Sequence, residues 1–175
     1  MITNYQSDGL ATATDKPAQN ANKLRELLNR HCNSLIGLFR TFASQEALAR
    51  GATAPMVRDL QLRVARTTPG EVTLSMPTAP HVMHASGVLC SQAIMAAMDF
   101  AMALAVIAHA DGIYRPMATA QMQTNFLRGV PANTGVVTLV ARVLRAGKTL
   151  VYGEVLLTTP EGKLAAHATL TYALL

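Results

Sequence analysis

Residues 88–110 read VLCSQAIMAAMDFAMALAVIAHA, and from Ala93 to Ala108 the one polar side chain is Asp99. The run predicts a helix, and a helix that is apolar all round has to be buried all round. A membrane span fits poorly. It needs about 20 apolar residues, and an aspartate at its centre costs roughly 2.5–3.5 kcal/mol. The Ala and Met content instead provides small or pliable surface against which a sheet packs closely.

Outward from this helix the chain reads as strands. Leu60, Leu62 and Val64 alternate with Gln61, Arg63 and Ala65; a Thr67-Thr68-Pro69-Gly70 turn follows; then Val72, Leu74 and Met76 alternate again. This pattern predicts a β-hairpin ending at Pro77. Downstream, strands are expected at Thr119–Leu127, Val136–Leu144, Leu150–Thr158 and Leu164–Leu174, with Gly147-Lys148 and Glu161-Gly162 as tight turns. In the last strand Leu164, Ala166, Ala168, Leu170 and Tyr172 face one way and His167, Thr169 and Thr171 the other. That alternation belongs to an antiparallel sheet with one covered face. A curved antiparallel sheet wrapped around one apolar helix is the economical α+β solution, the hotdog fold. Ahead of it, apolar residues between Asn22 and Arg50 recur at helical steps, with Gly51 as C-cap and Pro55 just beyond. The chain thus divides into a tail and helical extension over 1–52 and a hotdog domain over 53–175.

Half of the residues are hydrophobic and 14% are charged, against roughly 25% charged in an average domain. With a membrane disfavoured, a homo-oligomeric interface is the expected destination of the surplus apolar surface. Fifteen Lys and Arg against ten Asp and Glu give a net charge of +5, but the basic residues are scattered and Trp is absent. A nucleic-acid binder would cluster them among aromatics; a small anionic ligand suits the mild excess better. Cys32 and Cys90 lie far apart without a CxxC spacing, and the first residues lack the basic and apolar regions of a signal peptide. A reducing compartment, the cytoplasm, is the expectation.

With the helix and strands placed, the chain resembles the PaaI-like hotdog-fold acyl-CoA thioesterases over about residues 57–175. That family reads Asn-x-x-Gly-x-x-His-Gly-Gly, with an acid nine positions after the His. Here the stretch is His84-x-x-Gly87-x-x-Cys90-Ser91-Gln92, and Asp99 lies nine residues after Cys90. Thr119 and Asn125-Phe126-Leu127-Arg128 match the family's strand signature, and Arg142–Lys148 and Glu161–Ala166 are also similar. The family Asn is replaced by His84, its His by Cys90 and its Gly-Gly pair by Ser91-Gln92. The resemblance implies hydrolysis of an acyl-CoA thioester to acid and free CoA, at a site between two protomers of a homodimer or homotetramer. It implies no cofactor; CoA enters as part of the substrate.

Each candidate has a chemical reason. A lone carboxylate in an apolar core costs several kcal/mol unless it is hydrogen-bonded or serves a reaction, so Asp99 is either a bonded structural acid or the general base or nucleophile. Cys90 and Ser91 belong at the first turn of the helix, where free N–H groups and the positive dipole end favour a developing oxyanion. The resemblance assigns that role to the Ser91 amide. Cys90 is itself a candidate nucleophile with His84 as base, against the plainer reading of an inert, buried cysteine. The resemblance otherwise has His84 replace the family Asn as a hydrogen-bond donor near the substrate carbonyl. Thr119 is expected to hydrogen-bond Asp99 or the attacking water, or to be simply a strand residue. Arg128, Arg142, Arg145 and Lys148 are candidate partners for the CoA phosphates, or a solvated edge. His81 and His84 lack a third ligand, so no metal is expected. Gly147-Lys148-Thr149 is similar to the end of a phosphate-binding loop, but Arg142 stands where that loop needs glycine. A non-catalytic acyl-CoA-binding protein, a hotdog dehydratase or hydratase, and an inert structural oligomer remain the alternatives.

Overall fold

The structure, a computed structural model, describes residues 55–110, 112, 113 and 115–175. The helical extension expected within 1–52, and Cys32 with it, lies outside the described residues. A short helix α1 (Pro55–Asp59) leads into the hairpin β1 (Arg63–Thr68) and β2 (Glu71–Pro77), and the apolar run forms helix α2 (Ser91–His109). Then come β3 (Met117–Phe126), β4 (Val136–Ala146), β5 (Leu150–Thr158) and β6 (Leu164–Leu174). All neighbours are antiparallel, and the sheet runs β1-β2-β4-β5-β6-β3. The chain therefore leaves the sheet after β2, crosses its face as α2, adds β3 at the far edge and fills the middle with three hairpin-connected strands.

The hairpin begins three residues later than the alternation predicts. Leu60 closes a turn on α1, its N–H donating to the Val57 carbonyl at 3.3 Å, and Gln61 takes a left-handed φ of 52°. Leu60, Leu62 and Val64 are nonetheless all buried, as expected. Thr68 pairs with Glu71, so Pro69 and Gly70 form the turn, and Gly70 has the φ of 74° that an L side chain resists.

Helix α2 packs against all six strands. Ala97, Met98, Ala101, Met102 and Ala105 are fully buried on its side, facing Val72, Leu74, Met76, Leu139, Val155, Leu157 and Leu170 on the sheet. The closest approach is at Gly153, where a Cβ would collide with the Met102 methyl and the Arg142 main-chain oxygen. Glycine stands at that point of β5 because the helix leaves no room for a side chain.

Burial on every side is not what the described residues provide. Met95 is 39% exposed, and Ala96, Asp99, Phe100, Ala103 and Ile107 are only partly covered. These residues recur at three- and four-residue steps and form one stripe. The sheet covers the rest of the helix and stops short of this side. By length and composition α2 is able to cross a membrane, but more than half of it is buried inside this chain's own fold.

Two substitutions test this packing by chemical denaturation. Gly153→Ala lowers stability by about 1–3 kcal/mol through overpacking against Met102. Thr67, 2% exposed with a buried hydroxyl that has no partner among the described residues, behaves oppositely: Thr67→Val keeps the shape, removes the orphan oxygen and raises the midpoint.

Candidate functional site

Two groups of candidates form, one at the start of α2 and one in its middle. At the start, Cys90 is the N-cap: its backbone is extended (φ −72°, ψ 145°) and its Sγ accepts the Ala93 N–H at 3.4 Å. The loop before it is pinned by Cys90 N–H to Val82 O (3.0 Å) and Leu89 N–H to Val130 O (2.8 Å). An open cleft of about 390 Å³ lies here, lined among others by His84, Cys90, Ser91, Ile94, Phe126 and Arg128. Ser91 is the first helical residue, and among the described residues its N–H has no acceptor, as the geometry of a helix start requires. The cleft therefore holds a free amide at the positive end of a 19-residue helix.

His84 reaches this cleft already engaged. Its Nδ1 accepts the Ser86 N–H at 3.1 Å and lies 2.8 Å from the Ser86 hydroxyl. A ring nitrogen that accepts from a backbone N–H carries no proton, which leaves Nε2 as the protonated nitrogen of the neutral ring. No hydrogen bond joins His84 to Cys90 among the described residues; the sulfur serves as the cap. His81 is also engaged, with Nε2 2.6 Å from the Asp59 carbonyl. Among the described residues no three metal-ligating side chains are gathered.

In the middle of α2, Asp99 meets two hydroxyls. Thr119 Oγ1 on β3 donates to Asp99 Oδ1 at 2.8 Å. Tyr172 on β6 also contacts that oxygen, its hydroxyl lying 2.6 Å from Oδ1 and 2.8 Å from the Asp99 main-chain oxygen. Thr119 and Tyr172 are cross-strand partners, and the β3–β6 register shifts just after them, between Thr119 and Gln121. That shift matters. In a regular strand Thr119 and Gln121 share a face, yet Gln121 pairs with Thr171 on the outer face while Thr119 pairs with Tyr172 on the inner one. The extra residue, Ala120, turns Thr119 towards the helix.

Tyr172 is the site residue that the sequence reading left in the core. It is 3% exposed. Burial, and then the negative charge and hydrogen bond of Asp99, push its phenol well above the ordinary tyrosine range. It therefore stays protonated, and stays a donor. A signal was present: a buried tyrosine needs a partner for its hydroxyl, and Asp99 is the one polar side chain between Ala93 and Ala108.

The two groups do not meet within one chain. Eight helical steps separate Ser91 from Asp99, roughly 12 Å along the axis, too far for one thioester carbonyl to touch both. The cations are divided as well. Arg128 lines the cleft at the helix start. Arg142, Arg145 and Lys148 lie towards the other end, around the β4–β5 turn, whose Ala146 and Gly147 share a second cavity with His109. Arg142 is already paired, Nε to Glu71 Oε2 at 2.7 Å, across β2 and β4. Gly147-Lys148-Thr149 is a turn between two strands, not the start of a helix.

Comparison with known proteins agrees with this architecture. Residues 88–166 match the family model of the thioesterase superfamily. Among solved structures, a conserved protein from Pseudomonas aeruginosa, PA5202, is 28% identical, with a TM-score of 0.65 over 70% of this chain and 95% of that one. The Escherichia coli PaaI protein of the phenylacetic acid degradation operon is 16% identical, with a TM-score of 0.66 over 77% and 95%. A hypothetical thioesterase from Streptococcus pneumoniae, solved with coenzyme A, is 19% identical, with a TM-score of 0.61 over 65% and 85%. No curated protein matches the sequence significantly. A family match spanning α2 and most of the sheet, on a six-stranded sheet wrapped around that helix, carries one conclusion: the fold is the hotdog fold, and over residues 88–166 the chain is similar to the thioesterase superfamily.

Proposed function

We propose that this protein is an acyl-CoA thioesterase of the PaaI-like type, and that Asp99 is its base or nucleophile. The observation that carries the reading is the carboxylate in the apolar helix: Thr119 and Tyr172 both engage Oδ1, and no protein donor among the described residues reaches Oδ2. Asp99 lies on the partly covered side of α2, where that second oxygen is left to water or substrate. The free oxygen either takes a proton from a water that adds to the thioester carbon or adds to that carbon itself. In the overall reaction water supplies the hydroxyl of the acid, the carbon–sulfur bond breaks, and the thiolate of CoA leaves and is protonated. The Ser91 N–H, at the positive end of α2, stabilises the oxyanion in between.

The 12 Å gap along α2 supports a site shared between two copies, with the amide of one helix facing the Asp99 of another. Edge strand β3 favours the same arrangement. It is ten residues long, mostly exposed, and has neither a charge nor a proline. Edges left bare to solvent are usually short, charged or interrupted. The open stripe of α2 that carries Asp99 gives the second copy an apolar surface to cover. Arg128, at the mouth of the cleft, is the cation best placed for the CoA phosphates. The coenzyme A in the S. pneumoniae structure agrees with that substrate class, and the cysteine usage fits a cytoplasmic location.

Thiol release from a panel of aryl- and fatty-acyl-CoAs tests the reading. Wild type hydrolyses at least one member, and Asp99→Asn loses about 10²–10⁴-fold in rate. The amide is addressed by Ser91→Pro. The extended backbone of Cys90 suits a following proline, and proline is favoured at the first helical position, so the helix keeps its start and loses one N–H. Ser91→Pro slows turnover about 10²–10³-fold, while Ser91→Ala and Cys90→Ala keep the wild-type rate. CoA binding without hydrolysis of any member would identify a binding protein instead.

A further inference from the structure

Tyr172 has no counterpart among the motif residues that mark the family in this sequence, yet its hydroxyl makes the shortest hydrogen bond to the candidate acid. We propose that Tyr172 is a positioning residue of the site: together with Thr119 it locks Asp99 Oδ1, so that Oδ2 alone is presented to substrate and water. The inference rests on the reading of Asp99 as the reacting carboxylate.

The geometry is specific. Tyr172 Oη lies 2.6 Å from Oδ1 and 2.8 Å from the main-chain oxygen of the same residue, so its one proton is shared between two acceptors of Asp99, with Oδ1 the nearer. Thr119 Oγ1 approaches Oδ1 from the neighbouring strand at 2.8 Å. Two donors on one oxygen leave the carboxylate a single orientation. The tyrosine is buried at 3% exposure in β6, whose neighbours on both sides hold it in register. It is thus anchored by the sheet, and the acid by the tyrosine. Burial and the adjacent Asp99 charge keep the phenol protonated, so the lock holds wherever Asp99 is ionised. Here the aromatic ring fills the core, and the hydroxyl fixes which oxygen reacts.

The test measures kcat and KM for wild type, Tyr172→Phe, Thr119→Val and the double variant on an acyl-CoA that wild type hydrolyses, with unfolding midpoints for all four. Tyr172→Phe keeps the ring and removes one donor. Its kcat falls about 10- to 100-fold, the scale on which misplacement of a reacting group is felt, while KM stays within about twofold because no substrate contact is lost. The double variant loses more than the product of the single losses, since either donor alone still restrains Oδ1. An unchanged kcat in Tyr172→Phe overturns the inference. So does a loss that moves kcat and KM together, or one that multiplies independently with that of Thr119→Val, because each describes a structural tyrosine. Asp99→Asn separates the two levels. If it retains the wild-type rate, the assignment of Asp99 itself fails; if it is inactive while Tyr172→Phe is fully active, only the role of Tyr172 fails.

Discussion

A carboxylate set in the middle of an apolar helix has to be held by something, and here two hydroxyls from adjacent strands hold it. The contact among Asp99, Thr119 and Tyr172 ties α2, β3 and β6 at one point, and much of the fold is arranged to allow it. The β3 irregularity turns Thr119 inward. The long β5–β6 and β3–β6 pairings keep Tyr172 opposite it. Gly153 leaves room for Met102 of the helix against the sheet. Asp99 is only partly covered by its own chain, so the hydroxyls satisfy one of its oxygens and leave the other available. Under the proposed function, the same interaction serves both the packing of α2 and the chemistry.

The fold was legible because its signals are local. Strict alternation marked Leu150–Thr158 and Leu164–Leu174 to the residue, and the composition of Ala93–Ala108 marked a helix that only a wrapped sheet buries. What escaped was non-local or irregular. The turn of Thr119 towards the helix depends on one extra residue in β3, and a period-two reading carries a strand straight through such a point. Tyr172 was assigned to the correct face, but a face does not say which group a hydroxyl meets. Arg142 read as a free cation, and its pairing with Glu71 depends on a β2–β4 register that no local pattern encodes. The expectation of a helix buried all round failed for a related reason: hydropathy reports that a surface avoids water, not whether its cover comes from the same chain.

That last point bears on the composition. A chain with 14% charged residues would leave much apolar surface bare if it acted alone. In this structure the bare parts are specific. They are the stripe from Met95 to Ile107, the edge of β3, and Phe126 and Leu127 beside the cleft, at 47% and 58% exposure. They surround the two candidate groups on α2, the free amide at its start and the carboxylate two turns on. In the proposed shared site, a second copy laid along β3 would cover the apolar surface and bring the other group in the same step. The scarcity of charge and the separation of the candidate residues would then have one explanation.

The most direct test of that account is complementation between two inactive chains. Asp99→Asn keeps the Ser91 amide, and Ser91→Pro keeps the carboxylate. Refolded together, they form mixed dimers in which one of the two shared sites is fully wild type. Random pairing predicts recovery of about a quarter of the wild-type rate of thioester hydrolysis. A mixture no more active than the sum of its two parents would contradict the account, because it would mean that amide and carboxylate act within one chain.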